Sequence, residues 1–278
     1  ARYQKEEPVD HSRMGYSAAG TVVALGTGVT DFAVGDRVSV VAPHAEYVVG
    51  ELDTYPQPRV VKLPAEVSFE AATFLPLATS ANVWCRTADI QRHESVVVMG
   101  QGLVGSLCMQ VAKQYQPREV IAVDALPLRC ELATRLGADH SVNASERDPV
   151  TAVRELPGGK GAEVVLETVG GPPGVKSFAQ SLELCAAGGR VVLIGLYHGQ
   201  ALPLDASAVM NKRVLGGNLE MDRRAWASAL ALRMLADRRL PVAEMVTHRL
   251  PFTQAPQAFH LLNDRLGETL GVVLTYEE

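Results

Sequence analysis

Residues 96–112, VVVMGQGLVGSLCMQVA, decide how the rest of the chain is read. A run of apolar, mostly β-branched residues stops at Gly100, and Gly100, Gly102 and Gly105 then give the spacing G-x-G-x-x-G. Each glycine has its own physical role, in turn a tight bend off a strand, a backbone bare enough for a pyrophosphate to approach, and close packing of helix on strand. The helix that follows turns Leu103, Val104, Leu107, Cys108 and Val111 inward, and its N-terminus offers free N–H groups to an anion. A second strand, EVIAVDA, comes next and ends at Asp124, about 20 residues beyond the glycines, where a carboxylate accepts both hydroxyls of an adenosine ribose. The alternative is a plain turn between packed elements followed by a solvated Asp.

Outward from this motif the texture changes twice, near residues 77 and 218. Before 77 the sequence is short alternating runs broken by turn residues: GTVVALG, TDFAVGDRVSVV and AEYVV, with Gly35-Asp36 at a tight connection. These runs predict a small antiparallel barrel or sandwich. Between 77 and 217 continuous apolar runs (SVVVMG, EVIAVDA, EVVLETVG, RVVLIGLY) alternate with helical patterns. Strands buried on both faces read in this way, so the pattern predicts a doubly wound parallel sheet. After 218 come a long helix, DRRAWASALALRMLADRRL, a strand around VTHRLPF, a helix TQAPQAFHLLND and a last strand LGVVLTY, which are expected to return to the first domain.

The chain has 278 residues, 47% of them hydrophobic, enough to fill one large core or two ordinary ones. A net charge of −5 with scattered Lys and Arg offers no field for a phosphate backbone, so nucleic acid is set aside as a partner. No apolar run reaches the roughly 18 residues of a membrane span, and ARYQKEEPVD has no signal-peptide core, so a cytoplasmic location is the default expectation. Cys85, Cys108, Cys130 and Cys185 are far apart and form no CxxC pair; they are read as buried thiols.

With these features in place, the chain resembles the medium-chain dehydrogenase/reductase superfamily, and within it the alcohol, polyol and threonine dehydrogenases. The matching stretches run in order through almost the whole sequence: GTVVALGTGVTDFAVGDRV, HAEYVV, LPAEVSFEAATFLPLA, the glycine motif, LGADHSVN, GGRVVLIGL and THRLPFTQAPQAFHLL. The resemblance implies an α/β architecture: a Rossmann doubly wound parallel sheet over 77–217 plus a GroES-like β-barrel domain made by 1–76 and 218–278. The active site would lie in the cleft between them. Because the family's opening strands are missing from a sequence that starts at Ala1, a barrel truncated at its N-terminus is expected.

Carried onto this chain, the resemblance places Gly100, Gly102, Val104 and Gly105 along the pyrophosphate of NAD and Asp124 at its adenosine ribose. Arg129 would flank the adenosine side, with a solvated helix face as the alternative. Thr79 and the backbone of Ile194, Gly195 and Leu196 would touch the nicotinamide, and Val169 would pack along the cofactor. For Thr79 a helix-start cap stays open. Glu167, at the end of a strand, is read as a structural carboxylate beside the cofactor ahead of a catalytic one.

The departures are as informative. Zinc members usually read Gly-His-Glu where this chain has Gly15-Tyr16-Ser17, and often place Glu or Cys where it has Leu75. The four-cysteine lobe would fall between Val41 and His44, where only Ala42 and Pro43 stand. No set of about three zinc ligands survives, so no metal is expected. Tyr16, Ser17 and His44 are the catalytic candidates. A phenol, with a free pKa near 10, suits a proton donor to a carbonyl oxygen, relayed by Ser17, His44 or water. The competing reading is that Tyr16 fills the vacated metal space while Ser17 satisfies a backbone group. The six other histidines show no ligand spacing.

The expectation is a zinc-independent, NAD-linked oxidoreductase acting on a small alcohol or carbonyl substrate, with a polyol, sugar or cyclitol among the choices. RVLGGNL at 213–219 is expected as an edge strand pairing a homodimer. Two alternatives stay open: an NADPH-linked enoyl or quinone reductase, which Asp124 opposes, and a dinucleotide-binding protein that has lost catalysis.

Overall fold

The computed structural model describes residues 14–52, 59–156, 159–197 and 199–276. Three short strands open it, β1 (Ala18–Thr21), β2 (Arg37–Val40) and β3 (Val60–Lys62), paired antiparallel in that order. Gly35 takes φ +95° and donates its N–H to the Val22 carbonyl (2.8 Å), while Asp36 accepts from Ala33 N, so Gly35-Asp36 turns the chain into β2 as its sequence suggests. The run AEYVV, expected as a strand, forms none: Tyr47 and Val49 are 71% and 92% exposed, and β3 takes the pairing place beside β2. An alternating run becomes a strand only where a partner and a core face meet it.

Helices α1 (Phe69–Ala72) and α2 (Leu75–Thr87) lead into the larger layer. There strands β4 (Ser95–Met99), β5 (Glu119–Asp124), β6 (His140–Asn143), β7 (Ala162–Glu167), β8 (Cys185–Leu193) and β9 (Arg213–Gly216) alternate with helices. The helices are α3 (Leu103–Gln114), α4 (Pro127–Arg135), α5 (Pro149–Arg154), α6 (Gly171–Leu184) and, short, α7 (Ala206–Val209). All six strands are parallel, in the order β6-β5-β4-β7-β8-β9. Val96 and Val98 of β4 enter one apolar core with α2 and α3, and Val97 and Met99 enter a second with α5 and α6. Strands covered on both faces explain the unbroken Val/Ile/Leu runs.

The chain ends with α8 (Arg224–Ala236), which packs on α2, then β10 (Val246–Pro251), α9 (Ala255–Asp264) and β11 (Gly271–Thr275), the last strand pairing parallel to β10. Arg249 of β10 reaches back to Glu70 of α1 at 2.5 Å. Cys85, Cys108 and Cys185 are buried and Cys130 partly so, all as free thiols. No described helix is long and apolar enough to cross a membrane.

Candidate functional site

The strand order reverses between β4 and β7, and a crevice outside the C-terminal ends of such a strand pair is where open α/β sheets take ligands. The three glycines sit at its mouth. Gly100 adopts φ +87°, and a side chain there would stand 3.0 Å from the Val169 methyl. At Gly105 a Cβ would come within 1.8 Å of the Gly100 carbonyl, so helix α3 packs on the turn at a distance only glycine permits. Over Gly102 the nearest atom to a virtual Cβ is Arg129 Nη1, at 3.8 Å. Gly102 also caps α3 with no side-chain bond, leaving that helix end open to an anion. Thr168 ties the two sides of the crevice by donating to the carbonyls of Met99 (2.7 Å) and Gly100 (3.0 Å).

Asp124 ends β5 and is nearly buried. Its carboxylate accepts from Gln101 N (2.6 Å) and Leu126 N (2.9 Å), which fixes its orientation at the glycine turn. Arg129, on α4, brings Nη1 to 3.7 Å from Asp124. Arg129 Nε and Gln101 Oε1 are buried without a hydrogen-bond partner among the described residues. A bare glycine turn, an oriented carboxylate and unused buried polar atoms fit the adenosine half of a dinucleotide.

Across the crevice, Val169 is 38% exposed at the end of β7 and touches the Gly100 turn. Ile194 and Gly195 follow β8 and donate their N–H groups to the Glu167 carbonyl, both at 2.9 Å. The Leu196 carbonyl accepts from Gly171 N at 2.8 Å, and its side chain is open to solvent. Val104 lies in the first turn of α3, partly buried. Thr79 lies inside α2, whose cap is Phe74, so it is no helix-start cap; its hydroxyl donates one turn back to Leu75 O at 2.8 Å.

Residues 14–17 form the remaining group. His44 donates its N–H to Met14 O (2.8 Å), and its imidazole lies where a side chain on Gly15 would stand, 2.3 Å from the virtual Cβ. Gly15, at φ +81°, thus lets the ring lie close against the backbone beside Tyr16. Burial holds the His44 imidazole below its ordinary pKa, so it is neutral near pH 7. Ser17 donates its hydroxyl to Thr73 O at 2.5 Å, committing its proton to the backbone. Tyr16 is 52% exposed and lies in the field of Arg224, whose guanidinium bonds Ser80 Oγ at 3.0 Å, next to Thr79. Leu75 is buried two residues beyond Thr73.

A phenol, a hydroxyl spent on a carbonyl, a hydrocarbon and one imidazole do not suit zinc, which takes about three nitrogen, sulfur or carboxylate ligands. Among the described residues no three His, Cys, Asp or Glu side chains gather as a metal site would need. His11 and His198 lie outside those residues.

Two residues at the site were not anticipated. Tyr197 donates its hydroxyl to Glu167, and Arg224, within the field of Tyr16, donates to Ser80 of α2. A tyrosine just after RVVLIGL and an arginine at a helix start carry no local sign of these partners, which are 30 and 144 residues away.

Residues 104–234 match the family model described as zinc-binding dehydrogenase. The chain is 31% identical over 297 residues to L-threonine 3-dehydrogenase of Symbiobacterium thermophilum, covering 94% of this chain and 80% of that protein. It is 27% identical over 296 residues to a sorbitol dehydrogenase of Halalkalibacterium halodurans, covering 94% and 82%. Among solved structures, alcohol dehydrogenase TADH of Thermus sp. ATN1 superposes with a TM-score of 0.78 at 26% identity, over 95% of this chain and 84% of that one. The sheet with its glycine turn at the switch point, and relatives matched over nearly the full length, lead to one conclusion: the chain belongs to the medium-chain dehydrogenase/reductase family of dehydrogenases.

Proposed function

We propose that this chain is an NAD-linked oxidoreductase that works without zinc and moves a hydride between nicotinamide and a small alcohol or carbonyl compound, a polyol, sugar or cyclitol being the class to try first. The observation that carries the cofactor reading is Asp124, held by two backbone N–H groups at the edge of a turn whose glycines carry no side chain of their own. A carboxylate there accepts ribose hydroxyls and repels a 2′-phosphate. The relatives named above support the substrate class by their names.

NAD, when bound, supplies the hydride acceptor, and the protein supplies orientation and a path for the proton. Gly100, Gly102, Val104 and Gly105 would hold the pyrophosphate against the open end of α3, with Arg129 beside Asp124 at the adenosine. Val169, Thr79 and the 194–196 backbone would flank the nicotinamide. Tyr16 would hydrogen-bond the substrate oxygen and give or take its proton, with the neutral imidazole of His44 able to pass that proton to solvent. Ser17, bound to Thr73 O, would anchor the segment that carries Tyr16. The substrate would be enclosed by 1–76 and 218–278 around the 77–217 dinucleotide domain. We further infer a homodimer through β9, one of the two outer strands of the sheet among the described residues, where Val214 and, three residues beyond the strand, Leu219 are exposed.

The test is incubation of the metal-analysed protein with NAD and a panel of alcohols, polyols and sugars. NADH should appear with at least one of them at less than about one zinc per ten chains. Turnover only with NADPH and a quinone or enone, or activity that tracks zinc content, would overturn this reading.

A further inference from the structure

Glu167 is a carboxyl group with no access to solvent. Burial raises its pKa, opposed by the donors around it: Tyr197, Ser177 and the N–H groups of Val169 and Gly170. The Ser177 hydroxyl lies at 2.7 Å and Val169 N at 3.1 Å on one oxygen, and the Tyr197 hydroxyl takes the other. These donors come from three places: the turn after β7, helix α6, and the turn after β8. The same residue's backbone carbonyl accepts Ile194 N and Gly195 N. The ring of Tyr197 covers Gly174 so closely that a Cβ there would stand 2.8 Å from it, and a Cβ on Gly195 would meet Gly170 N at 2.5 Å. The turns 168–171 and 194–197 are therefore pressed into one body with no room for slack, and a fully buried carboxyl joins them.

We infer that Tyr197, acting through Glu167, is a positioning residue that holds the 194–196 backbone where the nicotinamide end of the cofactor must lie. The inference rests on the NAD reading above. Tyr197 touches neither the glycine turn nor Asp124 in any hydrogen bond or ion pair described, so the adenosine half of the site does not depend on it. Removing its hydroxyl leaves the buried Glu167 carboxyl with donors from α6 and the turn after β7 only, and the turn after β8 loses its only side-chain hydrogen bond to β7 among the described residues.

That separation makes the inference testable with two probes, NADH and ADP-ribose, which lacks the nicotinamide. In wild type both should bind, by titration calorimetry; binding of neither would defeat the NAD reading and this inference with it. Tyr197→Phe should weaken NADH about tenfold, equivalent to about 1.4 kcal/mol, and leave ADP-ribose within twofold. Equal losses for the two probes, or no loss for either, would overturn the positioning role while leaving the NAD reading intact. Should Tyr197→Phe lose both through unfolding, shown by its thermal melt, Ser177→Ala decides. The same split upholds the role of the Glu167 junction, and an equal or absent effect overturns it.

Discussion

The six-stranded sheet and the three-stranded sheet at the start of the chain are held together by different means. Every residue of β4 is buried, and its side chains alternate between two separate apolar cores. In β1 and β3 no residue is fully buried; β2 alone contributes Val38, Ser39 and Val40 to an interior. The small sheet is fastened instead by polar contacts to other segments: Ser17 to Thr73 O, Ser39 to Ala72 O, and Arg37 to the carbonyls of Pro64 and Val67. A strand with two apolar faces specifies its own place, whereas one with half a face takes its place from whatever lies across it.

The sharpest way to break the comparison is to add a side chain to the glycine turn. Gly105→Val sets carbon against the Gly100 carbonyl, where even a Cβ would be 1.8 Å away, and α3 must move off the sheet. NADH binding should become undetectable by calorimetry. Binding within tenfold of wild type would mean that the turn is not the cofactor cradle.

A large effect on stability is expected where charge enters the bigger sheet. Arg190 of β8 and Glu94 are both nearly buried, joined by two bonds at 2.7 and 2.8 Å, with Gln91 N also donating to Glu94. Burial pushes the Glu94 carboxyl up, but the Arg190 guanidinium and Gln91 N–H outweigh it and hold it below its ordinary value. Glu94→Gln leaves a buried guanidinium without its counter-charge and should destabilise by about 3–5 kcal/mol in urea unfolding. Arg249→Met, at the exposed bridge to Glu70, should cost less than about 1 kcal/mol. Similar values for the two would mean that burial in the bigger sheet adds nothing to the weight of an ion pair.

Next in size is Tyr16→Phe, which tests the chemistry of the smaller region. Turnover should fall about a hundredfold with NADH affinity unchanged, the loss expected when a proton donor is removed and the ring kept. Turnover within threefold of wild type would make Tyr16 a packing residue. Smaller again is the choice of cofactor. A 2′-phosphate facing Asp124 should weaken NADPH at least about tenfold against NADH, or about 1.4 kcal/mol, and equal dissociation constants would contradict the ribose role of that carboxylate.

The same contrast governs what the sequence made legible. The parallel sheet, the glycine turn off its strand, and the place of Asp124 at the end of the next strand could be read because backbone geometry and two-sided burial leave local marks: glycines at fixed spacing and unbroken apolar runs. In the small sheet the Gly35-Asp36 turn was legible for the same reason, but AEYVV was not, since its alternation is that of a strand while Tyr47 and Val49 meet no core. Tyr197, Arg190 and Arg224 were invisible for a further reason. Each acts through a partner brought in by sheet register or helix packing, and no short window of sequence contains both.

The smallest expected effect has the opposite sign. Gly20 lies in β1, paired with Val38, in a conformation that other residues adopt, and a side chain added there would meet nothing within 4 Å. Glycine at such a position loses more backbone freedom on folding than alanine does and gains no contact in return. Gly20→Ala should therefore stabilise the protein by about 0.4–1 kcal/mol, acting mainly by restricting the unfolded chain. The identical change at Gly105 should be ruinous, although both glycines belong to stretches that match the family. Urea unfolding of the two variants side by side measures the difference. If Gly20→Ala destabilises by more than about 1 kcal/mol, then something presses on β1 as closely as Gly100 presses on Gly105, and the small sheet is not the loosely packed region its burial indicates.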